Sequence, residues 1–205
     1  MINLLFFLSW LKHYKYMGFE VYIIKILQSC ASTNWITFFQ AISMLGSFLG
    51  FFITFFILFI KNRKLSIVFA FAFCVACIGN TLLKRVIQRT RPFEHFSFIH
   101  NYANEDGFSF PSGHSVCAGL FATFLTYHLF CEIKDNWTRI FGVSGLLLLT
   151  ILIAFSRMVL GVHYLSDIIV GIIVAILCIC VYNICIRKSR ERRERQKLWM
   201  NFFQW

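Results

Sequence analysis

Three short stretches carry residue types that could do chemistry. The longest, "SRMVLGVHYLSD" from Ser156 to Asp167, places an arginine, a histidine and an aspartate between the apolar runs "GLLLLTILIAF" and "IIVGIIVAILCICV". Charge at the edge of a low-dielectric region is expensive, so such groups usually have a partner or a task. His163 and Asp167 are four residues apart, so on a helix their side chains can meet. An aspartate bonded to one ring nitrogen fixes the tautomer and leaves the other nitrogen as base or nucleophile. Arg157 adds a cation that stays protonated and can grip phosphate oxygens through two parallel bonds.

The second stretch is "KRVIQRTRP". On a helix continuing from the apolar run before it, Lys84 and Arg91 stand about two turns apart on one face. Pro92 is expected to end that helix, because the residue before a proline is pushed out of helical geometry. The third stretch, "PSGHS" from Pro111 to Ser115, opens another apolar run. Pro111 and Ser112 suit a helix start, and Gly113 permits close backbone approach, so free amides there form an anion site. His114 supplies a second histidine. The chain's two prolines punctuate these two stretches.

Each stretch alone has an ordinary explanation: a snorkelling lysine, a helix cap, a satisfied polar pair. Their joint occurrence argues otherwise. Three cations and a helix start suit a phosphate, and two histidines suit breaking one of its bonds by a covalent route. Only one carboxylate stands near the histidines in sequence, so neither a metal nor another cofactor is implied. Glu94, His95, His100, Glu105 and Asp106 read as solvated loop residues without a catalytic part. His13 and His128 read as structural or interfacial.

The elements that must position these groups are helices in lipid. The 205 residues are 59% hydrophobic and 14% charged, with a mean hydropathy of +0.70. Soluble domains run near 45–50% apolar and about 25% charged. Twenty-six phenylalanines and two prolines favour long helices over a barrel of alternating strands. The expected class is all-α, a polytopic bundle of five to six spans. Five are placed at Ala41–Ile60, Leu65–Leu83, Ser115–Phe130, Ile140–Phe155 and Ile168–Ile186. Residues 1–40 are expected to form an interfacial or partial membrane segment, 41–186 the catalytic domain and 187–205 a basic tail. The eight cysteines read as inert helix packing, with "CVAC" at Cys74–Cys77 lacking a second ligand pair.

A net charge of +11 invites a nucleic-acid partner, but its placement points to the bilayer. The tail "RKSRERRERQK" holds seven of the twenty basic residues directly after an apolar run. With Lys61, Arg63, Lys64, Lys134 and Arg139 it marks the cytoplasmic side. The loops holding the three stretches then share the opposite, extracytoplasmic face. Lys84, Arg85, Arg89 and Arg91 violate the charge rule there, which suggests that those charges serve chemistry.

The three stretches together resemble the signature of the type 2 phosphatidic acid phosphatase (PAP2) superfamily. Lys84 with Arg91 and Pro92 is similar to its first motif, Pro111–His114 to its second, and Ser156, Arg157, His163 and Asp167 to its third. The likeness covers roughly Leu65 to Ile186. It implies a small bacterial plasma-membrane lipid phosphatase that needs no metal. His163 would form a phosphohistidine and Asp167 would orient its ring. His114 would protonate the departing lipid oxygen and then activate water. Lys84, Arg91, Arg157, Ser112 and the Gly113 amide would hold the non-bridging oxygens. Nucleophile and acid need opposite proton states, so a bell-shaped pH profile is expected. Many bacterial relatives have six spans, whereas the first here is short.

The implied substrate is a lipid phosphate entering from the bilayer: undecaprenyl diphosphate, phosphatidylglycerol phosphate or phosphatidic acid. The loop Pro92–Phe110, with Phe93, Phe96, Phe98, Phe108 and Phe110, is expected to shape the head-group pocket, meeting lipid or packing a lid. Two rivals use similar groups. Vanadium-dependent haloperoxidases are soluble, which five apolar spans oppose. A non-catalytic transporter or binder of phosphate-bearing ligands would more often carry its polar groups at mid-membrane.

Overall fold

A computed structural model describes residues 18–178 and residue 180. His13, Cys185, the tail and the far end of the fifth expected span lie outside the described residues. Within them the chain forms helices α1 (Gly18–Ser29), α2 (Thr33–Met44), α3 (Phe48–Lys61), α4 (Arg63–Ile87), α5 (Pro92–His95), α6 (Gly113–Glu132) and α7 (Asn136–Val159). A last helix, α8 (Leu165–Cys178), follows. Among the described residues there is no strand.

Local chemistry explains the breaks. Asn62 ends α3 in extended geometry, and its side chain accepts the Leu65 amide at 3.1 Å to start α4. Asp135 starts α7 in the same way through the Thr138 amide at 2.7 Å. α4 stops at Ile87 because Gln88 turns left-handed, at φ 53. This corrects the expectation that Pro92 ends the helix: Pro92 instead opens α5, where its missing N–H costs nothing. The span expected at Ala41–Ile60 is likewise interrupted, since α2 and α3 meet at a 47° bend. The described part of the segment expected to be interfacial or partly in the membrane forms α1 and the start of α2, parted near Ala31.

Among the described residues three helices are long and apolar enough to cross a membrane: α4 with its continuation to His95, α6 and α7. The bent α2–α3 pair makes a fourth if counted as one span. α8 is apolar but shorter within the described residues.

The core is phenylalanine-rich. Phe51 of α3 lies 4.4 Å from Phe73 of α4 by ring centroids, and Phe69 lies 5.2 Å from Phe124 of α6. Ala175 of α8 joins this cluster, and a second cluster ties Ile24 of α1 to Ala154 and Met158 of α7. Outward faces are apolar too: Phe48, Phe52, Phe71, Ile78, Phe141 and Leu148 are exposed. Only 11% of the most apolar stretch of α7 is buried. A surface that apolar needs lipid against it. Cys30, Cys74 and Cys131 are also exposed, which corrects their reading as buried packing. A small apolar side chain is as well accommodated by lipid as by a neighbouring helix.

The antiparallel run α4, α6, α7, α8 brings the end of α4, the start of α6, the end of α7 and the start of α8 together. Two glycines permit this closeness. A Cβ on Gly171 would lie 2.7 Å from the Ser112 carbonyl oxygen, where α8 crosses the start of α6. Gly161 turns the chain after α7 at φ +76, and a Cβ there would lie 2.3 Å from the His100 carbonyl oxygen.

Candidate active site

The turn after α7 builds one half of the site. The amides of Val162 and His163 both donate to the Arg157 carbonyl, at 3.1 and 3.3 Å, so His163 folds back beside its own arginine. Asp167 lies in the first turn of α8. Its Oδ2 accepts the Tyr164 amide at 3.0 Å and faces His163 Nδ1 at 3.4 Å. The pair meets across a helix start rather than along a helix face, because His163 precedes α8. Both side chains are almost wholly buried. Burial pushes the His163 imidazole down to about 4; Asp167 pulls it back, while Arg157 and Lys84 repel a further proton. The ring is therefore neutral at pH 7.

The other half is organised around Glu105, a residue read above as solvated. Its Oε2 pairs with Arg91 Nη1 at 3.0 Å, its Oε1 with Arg157 Nη2, and His114 Nδ1 stands 3.8 Å away. Burial alone would raise its carboxyl, but Arg157, His114, His163 and Arg91 together hold it down to about 2. Sequence offered no means of finding it, because a lone acid in "NYANEDG" looks like any polar loop. The charge that selects it comes from Arg91 and Arg157, fourteen residues before it and on another helix.

Lys84 and Arg91 do converge, but not on one helix face, since α4 ends between them. The loop joins them. Arg91 donates to the carbonyls of Asp106 and Gly107, each at 2.9 Å, and of Val162 at 3.2 Å. Lys84 donates to the Phe108 carbonyl. Arg157 is buried and also donates to Ser43 Oγ from α2, while its Nε has no hydrogen-bond partner.

The start of α6 is built as a cap. Ser112 Oγ accepts from the Ser115 amide at 3.4 Å and from Ser115 Oγ at 3.0 Å. Its amide donates to the Asp167 carbonyl at 3.1 Å, tying α6 to α8. A hydroxyl that only accepts still has its own proton to donate. Gly113 and His114 occupy the first turn, whose amides have no partner inside a helix.

Arg89 also proves to be part of this region. It is buried, with Nη1 2.6 Å from Asp167 Oδ1, and it reaches Glu20 of α1. Its signal in sequence was the excess of positive charge before Pro92; Arg85, counted in that excess, is exposed and makes no hydrogen bond or ion pair with the site among the described residues, which corrects the expectation that its charge serves chemistry. Of the other loop residues, Glu94 accepts the Arg91 amide at 3.1 Å to cap α5. The loop phenylalanines divide: Phe110 is buried, Phe93 and Phe96 pack on the core clusters, and Phe98 and Phe108 are exposed.

Comparison with known proteins agrees with this architecture. The chain is 34% identical over 102 residues to phosphatidylglycerophosphatase B of Bacillus subtilis, covering 48% of this chain and 46% of the relative. It is 29% identical over 120 residues to undecaprenyl-diphosphatase of Sulfolobus acidocaldarius, covering 56% and 52%. The chain thus spans about half the length of these curated relatives. The crystal structure of a transmembrane PAP2-type phosphatidylglycerolphosphate phosphatase from Bacillus subtilis superposes with a TM-score of 0.70. That match is 21% identical and covers 89% of this chain and 95% of the other, a likeness of fold. The sequence profile of the PAP2 superfamily matches residues 63–191, which hold Lys84, Arg91, the "PSGH" stretch, Arg157, His163 and Asp167, and the chain belongs to that superfamily.

Proposed function

We propose that this protein is an integral-membrane lipid phosphate phosphohydrolase acting through a phosphohistidine. The observation that carries the reading is the seat of Glu105. A carboxylate of the chain itself bridges Arg91 and Arg157 beside His114, so the site already holds one oxyanion. A phosphate has the charge and the oxygens to take that place. Arg157 Nε and the first-turn amides of α6 are further donors for it.

In the proposed reaction His163 Nε2 attacks phosphorus and the bond to the lipid oxygen breaks. His114 gives its proton to that oxygen, and the lipid product leaves. His114 then takes a proton from water, whose oxygen attacks phosphorus and displaces His163, releasing inorganic phosphate. Asp167 offsets the positive charge on the ring while the phosphohistidine exists. Lys84, Arg91, Arg157, Ser112 and the Gly113 amide hold the non-bridging oxygens, so most of the catalysis is positioning and charge stabilisation. No step calls on a metal.

The substrate reading is undecaprenyl diphosphate, phosphatidylglycerol phosphate or phosphatidic acid, reached from the bilayer past the exposed Phe98 and Phe108. In the same reading the site faces the extracytoplasmic side of the plasma membrane and the basic tail faces the cytoplasm. The organisation remains an N-terminal segment to residue 40, a catalytic domain over 41–186 and a tail. The test is phosphate release by the protein in detergent, with chelator, from the three lipids side by side. Release from one lipid well above the others supports the reading. No release from any of them by folded protein overturns it.

A further inference from the structure

We propose that Arg89 is a positioning residue for His163, acting through Asp167, and that Glu20 from α1 completes its seat. The proposal rests on the phosphatase reading above and adds a residue that none of the three signature stretches assigns.

The geometry divides the Asp167 carboxylate. One oxygen, Oδ1, is held by Arg89 Nη1 at 2.6 Å; the other, Oδ2, takes the Tyr164 amide and faces His163. Were Oδ1 unheld, the carboxylate could rotate about its last bond and present either oxygen to the ring. Arg89 is itself fixed on several sides. Nη1 also donates to Ser166 Oγ at 2.7 Å, Nη2 pairs with Glu20 Oε2 at 3.2 Å, and the guanidinium lies 4.0 Å from the Tyr164 ring centroid. Glu20 Oε1 accepts the Ser166 amide at 2.6 Å, which closes the frame onto the start of α8. All three charged groups are buried. A buried cation between two buried carboxylates is costly to remove from either side, because the remaining charges lose their compensation.

This frame has an electrical consequence as well as a steric one. Around His163 stand Asp167 from α8, Arg157 from α7, Lys84 from α4, His114 from α6 and Glu105 from the loop. Arg89 is the cation bonded directly to the acid of that set which faces the ring. Removing its charge makes both Asp167 and His163 easier to protonate, so activity should fail at a higher pH. Removing the Glu20 charge does the opposite, because it leaves Arg89 more effective. A strut that merely joins α1 to α8 predicts neither shift.

The experiment compares the wild-type protein with R89Q, R89K, E20Q and the exposed control R85Q in detergent. The probe is whichever of phosphatidylglycerol phosphate, phosphatidic acid and undecaprenyl diphosphate the wild type hydrolyses. R89Q should lower kcat about ten- to hundredfold, the usual cost of losing a group that orients a catalytic ligand, with KM changed less than about twofold. Its acid limb should move to higher pH, R89K should recover part of the loss, and the E20Q limb should move the other way. R85Q should match the wild type. A folded R89Q that loses activity with an unmoved acid limb, or that keeps wild-type kcat, overturns the proposal. If R89Q does not fold, E20Q decides by the sign of its shift, and an unmoved or upward limb overturns the proposal. If the wild type hydrolyses none of the three lipids, the phosphatase reading fails. The positioning claim is then read from the His163 titration by nitrogen NMR, where R89Q must raise the midpoint and E20Q must lower it.

Discussion

The two histidines of the site are both largely enclosed, but they differ in degree of burial and in the carboxylate each faces. His163 is buried to 2% side-chain exposure, faces a single carboxylate, and that carboxylate is locked by Arg89. His114 is 22% exposed and stands 3.8 Å from a carboxylate on a loop, within no hydrogen bond of it. A nucleophile benefits from a fixed angle of attack and a dry, neutral ring, and the first surroundings provide both. A group that must give a proton to a lipid oxygen and then take one from water needs access and room to adjust, and the second surroundings provide those. The comparison also separates two anions. Asp167 belongs to the frame, whereas Glu105 sits between Arg91 and Arg157, where the proposed reaction places the substrate phosphate.

The largest effect should come from the locked half. His163→Ala should remove turnover by about 10⁴-fold or more, and Asp167→Asn should cost about 10²–10⁴, as in other sites where an acid holds a catalytic imidazole. Trapping of acid-labile, base-stable phosphoprotein checks this, since a His163→Ala protein that still accumulates phosphohistidine would assign the nucleophile elsewhere. His114→Ala should cost less, about 10²–10³ on a phosphate monoester. On a diphosphate the loss should shrink, because the departing phosphate needs less help from an acid than an alkoxide does. Equal losses on both substrates would break the distinction between the two rings.

The pH dependence sharpens it further. His163 reacts in its neutral form and burial pushes it down to about 4, so kcat/KM should persist as pH falls and drop only through about pH 4. An acid limb near pH 6.5, the value of an unperturbed imidazole, would mean that the ring is more hydrated than its burial implies. The smallest effect is expected from Glu105→Gln. Its carboxylate competes with phosphate for Arg91 and Arg157, so removing the charge should lower KM and strengthen inhibition by inorganic phosphate. The change should be roughly three- to tenfold, the scale of a partly exposed ion pair of about 1 kcal/mol. A rise in KM would instead make Glu105 part of substrate binding.

Much of the candidate site was legible because residue type and short spacing carry it. Lys84, Arg91, His114, Arg157, His163 and Asp167 could each be named without coordinates, since cations, helix starts and paired histidines imply anion chemistry wherever they are. Helix class was legible from composition, and among the described residues three of the five expected spans, or four with the bent α2–α3 pair, appear as helices long and apolar enough to cross a membrane. The errors were local and physical. Pro92 opens α5 because Gln88 had already turned the chain left-handed four residues earlier, and no residue type in "VIQRTRP" announces that. The α2–α3 bend falls inside a run whose apolar pattern continues unbroken, so hydropathy could not register it.

The sequence by itself determined that long apolar helices must lie in lipid and that three charged stretches must share one end of them. Both follow from solvation costs that any residue carries with it. Only the tertiary structure decided that Glu105 fills the cation pocket, that Arg89 rather than Arg85 reaches Asp167, and that Glu20 joins them from the other end of the chain. Those outcomes depend on distances between residues that sequence separates by 14 to 78 positions. A buried charge selects its partner by position in space, and nothing in its own stretch of chain records which partner that is.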